Sequence, residues 1–288
     1  MSTSSVWLIT GATSGIGLDL AKAALAAGHT VIAGCRDTSK IATVAAELEQ
    51  RGVTWLTLDV GADDVVEAKI QECIAKFGRI DVLVNNAGYG VMGAIEDISI
   101  SQVTAQFNVN LLGPLRTIQA VLPSMRDRRS GTIVNISSTN GITSMPGLGV
   151  YGASKFALEG LTEGLQMEVA PFGIRVLLVE PGMVATRLAD PKGSGTIVPL
   201  SEPYRDSLVD QTMQGILGAY AAGMGASAEK TALRIVEAVD GTGLLEGRQD
   251  SVKLRLPLGA DAAETFQKKG AEFSGLYSDL KDVSESIG

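Results

Sequence analysis

Three features of the sequence point to an α/β protein with a doubly wound parallel sheet and helices on both faces. Short β-branched or aliphatic runs alternate with helical stretches from Val6 onward, as parallel strands joined by right-handed crossovers require. The first run passes directly into a glycine-rich turn, and 34 glycines suit a fold with many tight βα turns. With 45% hydrophobic and 19% charged residues the chain can bury a sizeable core and reads as globular rather than disordered. Its 288 residues equal two domains at about 150 residues each, yet α/β folds often run longer as one. A single domain over 1–288 is expected.

Val6-Trp7-Leu8-Ile9-Thr10 forms the first strand, and the turn after it opens a helix to about Ala27 that Gly28 stops. Gly11, Gly15 and Gly17 let backbone approach a pyrophosphate and let the helix pack on the sheet, with its N-terminus facing the anion. The spacing lacks Gly-Lys-Ser/Thr, which argues against a P-loop ATPase. A second strand covers Thr30 to Cys35, a helix runs from about Ser39 to Arg51, and Thr54 to Leu58 gives a third strand ending at Asp59-Val60. A helix from about Asp63 to Phe77 leads to the buried run Val82-Leu83-Val84 and the turn Asn85-Asn86-Ala87-Gly88. The next helix spans about Ile100 to Arg128, with Pro114 and Pro123 as candidate kinks or breaks. Thr132 to Ile136 and Arg175 to Glu180 are strands, Ala228 to Val239 is helical, and Arg248 to Leu258 forms an edge strand in keeping with Pro257. A C-terminal extension over about 248–288 is partly helical. Residues 187–225, rich in proline, glycine and scattered apolar side chains such as Met213, Leu217, Tyr220 and Met224, form either a lid over an apolar substrate or a surface excursion packed on the core.

The chemistry centres on Ser138, Tyr151 and Lys155. Tyr151 and Lys155 are four apart, so a helix places them one turn apart on one face. A phenol with a pKa of about 10 is a poor base, but a nearby cation favours the phenolate and brings proton exchange toward neutral pH. Ser138 follows the β-branched run to Ile136, and a strand there carries its hydroxyl to the same end of the sheet. A substrate oxygen fits between the two hydroxyls. Taken alone, Tyr-x-x-x-Lys is an ordinary helix-surface pair; its company in this chain gives it weight.

That company is Thr10-Gly11-Ala12-Thr13-Ser14-Gly15-Ile16-Gly17, Asn85-Asn86-Ala87-Gly88, Asn110-Leu111-Leu112-Gly113, Ser138, Tyr151 with Lys155, and Pro181-Gly182-Met183-Val184-Ala185-Thr186. In this order they resemble the short-chain dehydrogenase/reductase family over roughly residues 5 to 190. Phe156-Ala157-Leu158-Glu159-Gly160 is most similar to its hydroxysteroid and retinol dehydrogenase branch. The resemblance implies a Rossmann-type NAD(P)-binding fold and an alcohol/carbonyl oxidoreductase. It assigns the catalytic set to Asn110, Ser138, Tyr151 and Lys155, with Asn108 close enough to compete with Asn110; the Asn-x-x-Gly match begins at Asn110. Tyr151 would be the acid or base, Ser138 would fix the reacting oxygen, Lys155 would also hold the nicotinamide ribose, and Asn110 would complete a proton path through a water held in a distorted helix. Cofactor contacts are implied for Gly11, Thr13, Ser14, Gly15, Ile16, Gly17, Arg36, Asp59, Val60, Asn86, Ala87, Gly88, Tyr151, Lys155, Pro181, Gly182, Val184 and Thr186.

NADP(H) is the preferred cofactor in this reading. NAD-preferring relatives carry an acid at the position of Cys35, whereas here a neutral thiol precedes Arg36, whose guanidinium can pair with the 2′-phosphate. Asp37 leaves NAD(H) possible. Tyr89, Val91, Met145, Leu148 and Met183 give the pocket an apolar lining, with Ser138, Met145, Tyr151 and Met183 against the substrate. Two alternatives use the same residues: a dinucleotide-binding redox sensor without turnover, and an epimerase or dehydratase. A homodimer or homotetramer is implied by the family's habit of pairing the helices that carry Asn110 and Tyr151.

Other features narrow the class. A net charge of −8 argues against a general nucleic-acid or anionic-membrane surface, leaving small molecules as partners. Cys35 and Cys73 form neither a disulfide framework nor part of a metal-ligand cluster, so no metal is expected. The N-terminus has no basic, cleavable leader and no run approaches the ~18 apolar residues of a membrane span, in keeping with the cytoplasm. Asn135-Ile136-Ser137 matches a glycosylation acceptor but falls in a buried strand. His29 is the only histidine, in a helix-to-strand turn, which removes the hydrolase triads that need another histidine base.

Overall fold

The computed structural model describes residues 4–186, 195–248 and 250–287, so 187–194 of the expected lid lie outside the described residues. The chain runs through β1 (Val6–Thr10), α1 (Gly15–Ala26), β2 (Thr30–Cys35), α2 (Ala42–Gln50), β3 (Thr54–Thr57), α3 (Val66–Phe77) and β4 (Val82–Asn85). It continues through β5 (Val91–Met92), α4 (Ile100–Phe107), a π turn (Asn108–Leu112), α5 (Gly113–Arg128), β6 (Gly131–Ile136), α6 (Gly149–Val169) and β7 (Ile174–Pro181). It ends with β8 (Thr196–Ile197), α7 (Leu208–Ala221), α8 (Ala228–Asp240), β9 (Arg255–Leu258) and α9 (Ala260–Glu285). Among the described residues the main sheet has the order β3-β2-β1-β4-β6-β7-β9, with every pair parallel. This is the doubly wound, Rossmann-type sheet. The winding direction reverses between β1 and β4, which leaves a crevice beyond their C-terminal ends.

Alternation along the strands fills both faces. Trp7 and Ile9 of β1 join Val31, Ala33, Val84 and Val134 under α1, α2 and α8, while Leu8 joins Ile32, Leu83, Ile133 and Val176 under α3, α5 and α6. Burying each such side chain contributes about 1.5–3 kcal/mol. His29 is part of this packing: its ring stacks on Trp7, its Nδ1 accepts the Ser5 N–H, and its Nε2 donates to Asp240 Oδ2 at 2.9 Å. Asn135 is fully buried and bonded to Asn85 and Thr162, so the acceptor pattern there is not exposed.

The structure departs from expectation in several places. Asp37 accepts from Ser39 N and Oγ, both at 2.8 Å, so Ser39–Ile41 is a single 3-10 turn and α2 starts at Ala42; α3 starts at Val66 rather than Asp63. Neither proline breaks the long helix: Pro114 lies in the first turn of α5, where its missing N–H costs nothing, and Pro123 lies inside α5. The break is the π turn. Residues 195–225 hold β8, which pairs with β5, and α7, which packs Met213, Leu217 and Tyr220 around Met92. Met224 is exposed. The edge strand begins at Arg255 rather than Arg248, and α9 makes the tail far more helical than expected. Among the described residues no helix is long and apolar enough to cross a membrane.

Candidate active site

The glycine loop and the turn after β4 form one unit. Asn86 Nδ2 donates to the Thr10 and Gly11 carbonyls at 2.9 and 3.1 Å, and Thr10 Oγ1 accepts the Asn86 and Ala87 N–H groups, both at 3.0 Å. This contact explains the glycines. A Cβ on Gly17 would lie 2.3 Å from Asn86 Nδ2, and one on Gly11, whose φ is +66°, would lie 2.8 Å from Ala87 Cα. Ser14 caps α1 in an extended conformation without a side-chain cap bond, so the first-turn N–H groups are offered to an anion. Thr186 reaches over the same helix start: its Cγ2 lies 3.0 Å from a Cβ built on Gly15.

Beyond β2, buried Cys35 is followed by exposed Arg36. Burial pushes the Tyr89 phenol up, and Arg36 is close enough to oppose it. Asp37 turns its carboxylate into the Ser39 turn, and Asp59 Oδ1 accepts the Gly61 N–H at 2.9 Å. Thr13, Ser14, Gly15, Ile16, Arg36, Asp59, Val60, Asn86, Ala87, Gly88, Pro181, Gly182, Val184 and Thr186 all line one cleft, while Gly17 packs beneath it. The cleft measures 1240 Å³, above the ~300–1,000 Å³ of an ordinary ligand pocket, so it has room for two molecules.

At its other end the strand and helix meet as anticipated. Ser138 follows β6 and its Oγ accepts the Asn140 N–H at 3.1 Å; Tyr151 and Lys155 are buried on one face of α6. The Tyr151 ring lies against Gly90, 3.4 Å from a Cβ placed there. Lys155 Nζ donates to the Ile136 carbonyl at 2.8 Å and stands 5.9 Å from the tyrosine ring centroid. Burial opposes the expected lowering of the tyrosine pKa by this cation. Burial pushes Tyr151 up to about 12, with a Ser138 hydrogen bond pulling down and Tyr220 pushing up. Lys155 is itself brought down to about 8 by burial, against the pull of Glu159. Desolvation is the largest of these effects, and the ammonium donates to the Ile136 carbonyl rather than to the phenol oxygen. The tyrosine is therefore held as a proton donor.

The two asparagines separate cleanly. Asn108 Nδ2 bonds the Gly61 carbonyl at 2.8 Å, away from the reacting groups. Asn110, buried at the centre of the π turn, accepts Tyr89 N–H at 3.1 Å and donates to Tyr89 O and Ser154 Oγ at 2.9 and 3.1 Å. Its Oδ1 and Lys155 Nζ lie 3.3 and 3.7 Å from the same Cβ position on Gly88. A π turn redirects one side chain within an otherwise continuous helix, and here that side chain is brought beside the lysine.

Met145, Leu148 and Met183 line the cleft near Tyr151, but Val91 does not. It is turned into a cluster with Ile98, Val150 and Val198, and Met92 faces the cleft instead, the one-residue phase that a strand imposes. Sequence reasoning also missed Thr196, Ile216, Asp261 and Thr265 in the lining, while Tyr220, named with the lid, is there. Asp261 Oδ2 accepts the Met183 N–H at 2.6 Å across 78 residues of sequence, which no local pattern announces.

The comparisons agree with this geometry. A family model described as short chain dehydrogenase matches residues 5–196. Oxidoreductase claN of Passalora fulva is 44% identical over 219 residues, 75% of this chain and 97% of that protein. A short-chain dehydrogenase from Streptomyces avermitilis superposes with a TM-score of 0.87 at 36% identity over 100% of both chains. A gluconate 5-dehydrogenase from Burkholderia cenocepacia, solved with NADP and tartrate, gives 0.71 at 26% identity over 91% of this chain and 96% of that one. With the sheet, the glycine loop and the serine, tyrosine and lysine on one cleft, these matches place the chain among the oxidoreductases of the short-chain dehydrogenase family.

Proposed function

We propose that the protein is an NADP(H)-dependent oxidoreductase that interconverts a secondary alcohol and a ketone or aldehyde on a small apolar substrate. The observation that carries this is the one cleft joining the glycine loop and Arg36 at one end to Ser138, Tyr151 and Lys155 at the other, with Asn110 buried beside Gly88 next to the lysine. NADP-bound relatives of the same fold support the cofactor. The residues present fit it: the uncapped start of α1 suits a pyrophosphate, and Arg36 suits a 2′-phosphate.

When bound, NADPH supplies the hydride. Ser138 fixes the substrate oxygen beside Tyr151, and the tyrosine hydroxyl, kept protonated by burial, donates its proton to that oxygen as the carbonyl is reduced. Lys155 supplies positive charge behind the ring, and Asn110, anchored to Tyr89 and Ser154 and brought beside Lys155 at Gly88, continues the proton path from it. Met92, Met145, Leu148, Met183 and Ile216 give the substrate an apolar wall. The test is NADPH absorbance with a panel of apolar ketones. Tyr151→Phe keeps the ring and removes only the reacting hydroxyl, so turnover should fall about 10²-fold or more at nearly unchanged melting temperature. Normal turnover in this variant would assign the proton to another group.

A further inference from the structure

A buried charge cluster lies behind the reacting groups, and none of the steps above uses it. Its cation is Arg255 of β9, outside the span matched by the family model. Arg255 Nη1 donates to Glu180 Oε1 at 2.6 Å and to Glu159 Oε2, and Nη2 donates to Glu163 Oε1 at 2.5 Å. Glu180 is fully buried, and its second oxygen accepts the Leu256 N–H at 3.0 Å. Glu159 is also buried, and its Oε1 and Ser137 Oγ border the same space beside Gly141, neither of them hydrogen-bonded among the described residues. Gly141 keeps that space open, since a Cβ there would lie 2.6 Å from Glu159 Oε1 and 2.7 Å from Ser137 Oγ.

Each member belongs to a different segment of the site. Glu180 directly precedes Pro181-Gly182, Glu159 lies one helical turn after Lys155, and Ser137 directly precedes Ser138. Buried carboxylates are costly unless a cation and hydrogen bonds meet them, so α6 and the end of β7 are drawn to one guanidinium, with Ser137 packed beside Glu159. We infer that Arg255 is a positioning residue: through Glu159 and Glu180 it sets the placement of Ser138 and the Tyr151–Lys155 helix face relative to the Pro181–Val184 backbone. The C-terminal strand thereby registers the catalytic and cofactor-holding sides of the cleft.

This rests on the reading of Ser138, Tyr151 and Lys155 as the reacting groups. The competing account is that Arg255 only neutralises buried charge. Two variants separate them: Glu159→Gln, which leaves α6 only the half-exposed Glu163 as a charged partner but keeps the Arg255–Glu180 pair, and the triple Arg255→Met/Glu159→Gln/Glu180→Gln, which removes the guanidinium and both buried carboxyls together. Melting temperature reads neutralisation; kcat and the dissociation constant of NADPH read positioning. The expected result is near-wild-type melting with kcat lowered about tenfold or more and NADPH affinity changed less than about threefold. Arg255→Lys should recover part of kcat relative to Arg255→Met. Wild-type kcat in the triple variant overturns the inference, and if the triple does not fold, wild-type kcat in Glu159→Gln does so. Should the wild type reduce no carbonyl at all, the proposed function fails separately. The emission of bound NADPH, which needs no turnover, then decides: a changed spectrum in Glu159→Gln supports the inference and an identical one overturns it.

Discussion

At the end of β2 a buried thiol and an exposed guanidinium stand side by side on the cleft. A phosphate there gains two parallel charge-assisted hydrogen bonds from Arg36, while the Asp37 carboxylate is turned into the Ser39 turn. Arg36→Leu should remove a contact worth about 1.5–3 kcal/mol, roughly a tenfold to hundredfold loss in NADPH affinity with NADH nearly unaffected. Comparing kcat/KM for both cofactors at one ionic strength checks this; equal losses, or a wild type that prefers NADH, refute it. Glu180 makes a second prediction. Burial and neighbouring Glu159 push its carboxyl up to about 8 against the pull of Arg255 and the Leu256 N–H, so the folded protein takes up a proton at higher pH than the unfolded chain does. A raised folded pKa makes this group erode stability as pH rises from about 4.5 to about 8. The melting temperature of the wild type relative to Glu180→Gln should therefore decline across that window, and a constant difference contradicts the assignment. Residue identities at the site were legible because Tyr151, Lys155 and Ser138 occupy fixed spacings. Their ionisation was not, because desolvation depends on what buries a group, and that is a property of the folded chain.

Elements were legible where a local pattern fixes them. The strands up to β4 and the stop at Gly28, at positive φ, follow the sequence closely. The π turn leaves no trace in hydrophobic periodicity and was announced only by the family resemblance, which implied a distorted helix at Asn110; the two prolines were the visible breakers, yet α5 accommodates both. The β5–β8 pair is two residues long on each side and is held by distant partners. α9 was partly legible as a helix, but its role was not. Its first turn places Asp261 on Gly182, where the carboxylate fills the space a Cβ would need and accepts from Met183 N. The contact fixes the backbone that forms one wall of the cleft. Asp261→Ala should lower kcat/KM by about tenfold, the size of one charge-assisted hydrogen bond, while Asp261→Asn keeps an acceptor and recovers part of the loss. Steady-state kinetics of the two variants decide it: equal activity in alanine and wild type leaves Asp261 without a part in shaping the cleft.

The whole molecule presents an apolar stripe on the side of the helices that carry Asn110 and Tyr151. Ile100, Val103 and Phe107 follow the i, i+3, i+7 spacing of one face of α4, and Leu112 continues the groove they line. Ile100 is 79% exposed, and on α6 Phe156 and Met167, three turns apart, are 44% and 68% exposed. Single exposed apolar residues need no explanation, but a contiguous set of them marks an interaction surface. A stable interface buries about 1,200–2,000 Å², an area that two neighbouring helices supply when they meet their own copies across a two-fold axis. We therefore expect a homodimer or homotetramer through this side. Sedimentation at micromolar concentration should give two or four times the 29.9 kDa chain mass. Met167→Glu and Ile100→Glu, both on the stripe and clear of the cleft, should shift the protein toward monomer by burying an unpaired carboxylate at the contact. A wild-type monomer refutes the expectation outright. An oligomer that both substitutions leave intact moves the contact elsewhere, and the next surface to test is α9, where Phe273, Leu276, Leu280 and Val283 are exposed at heptad spacing.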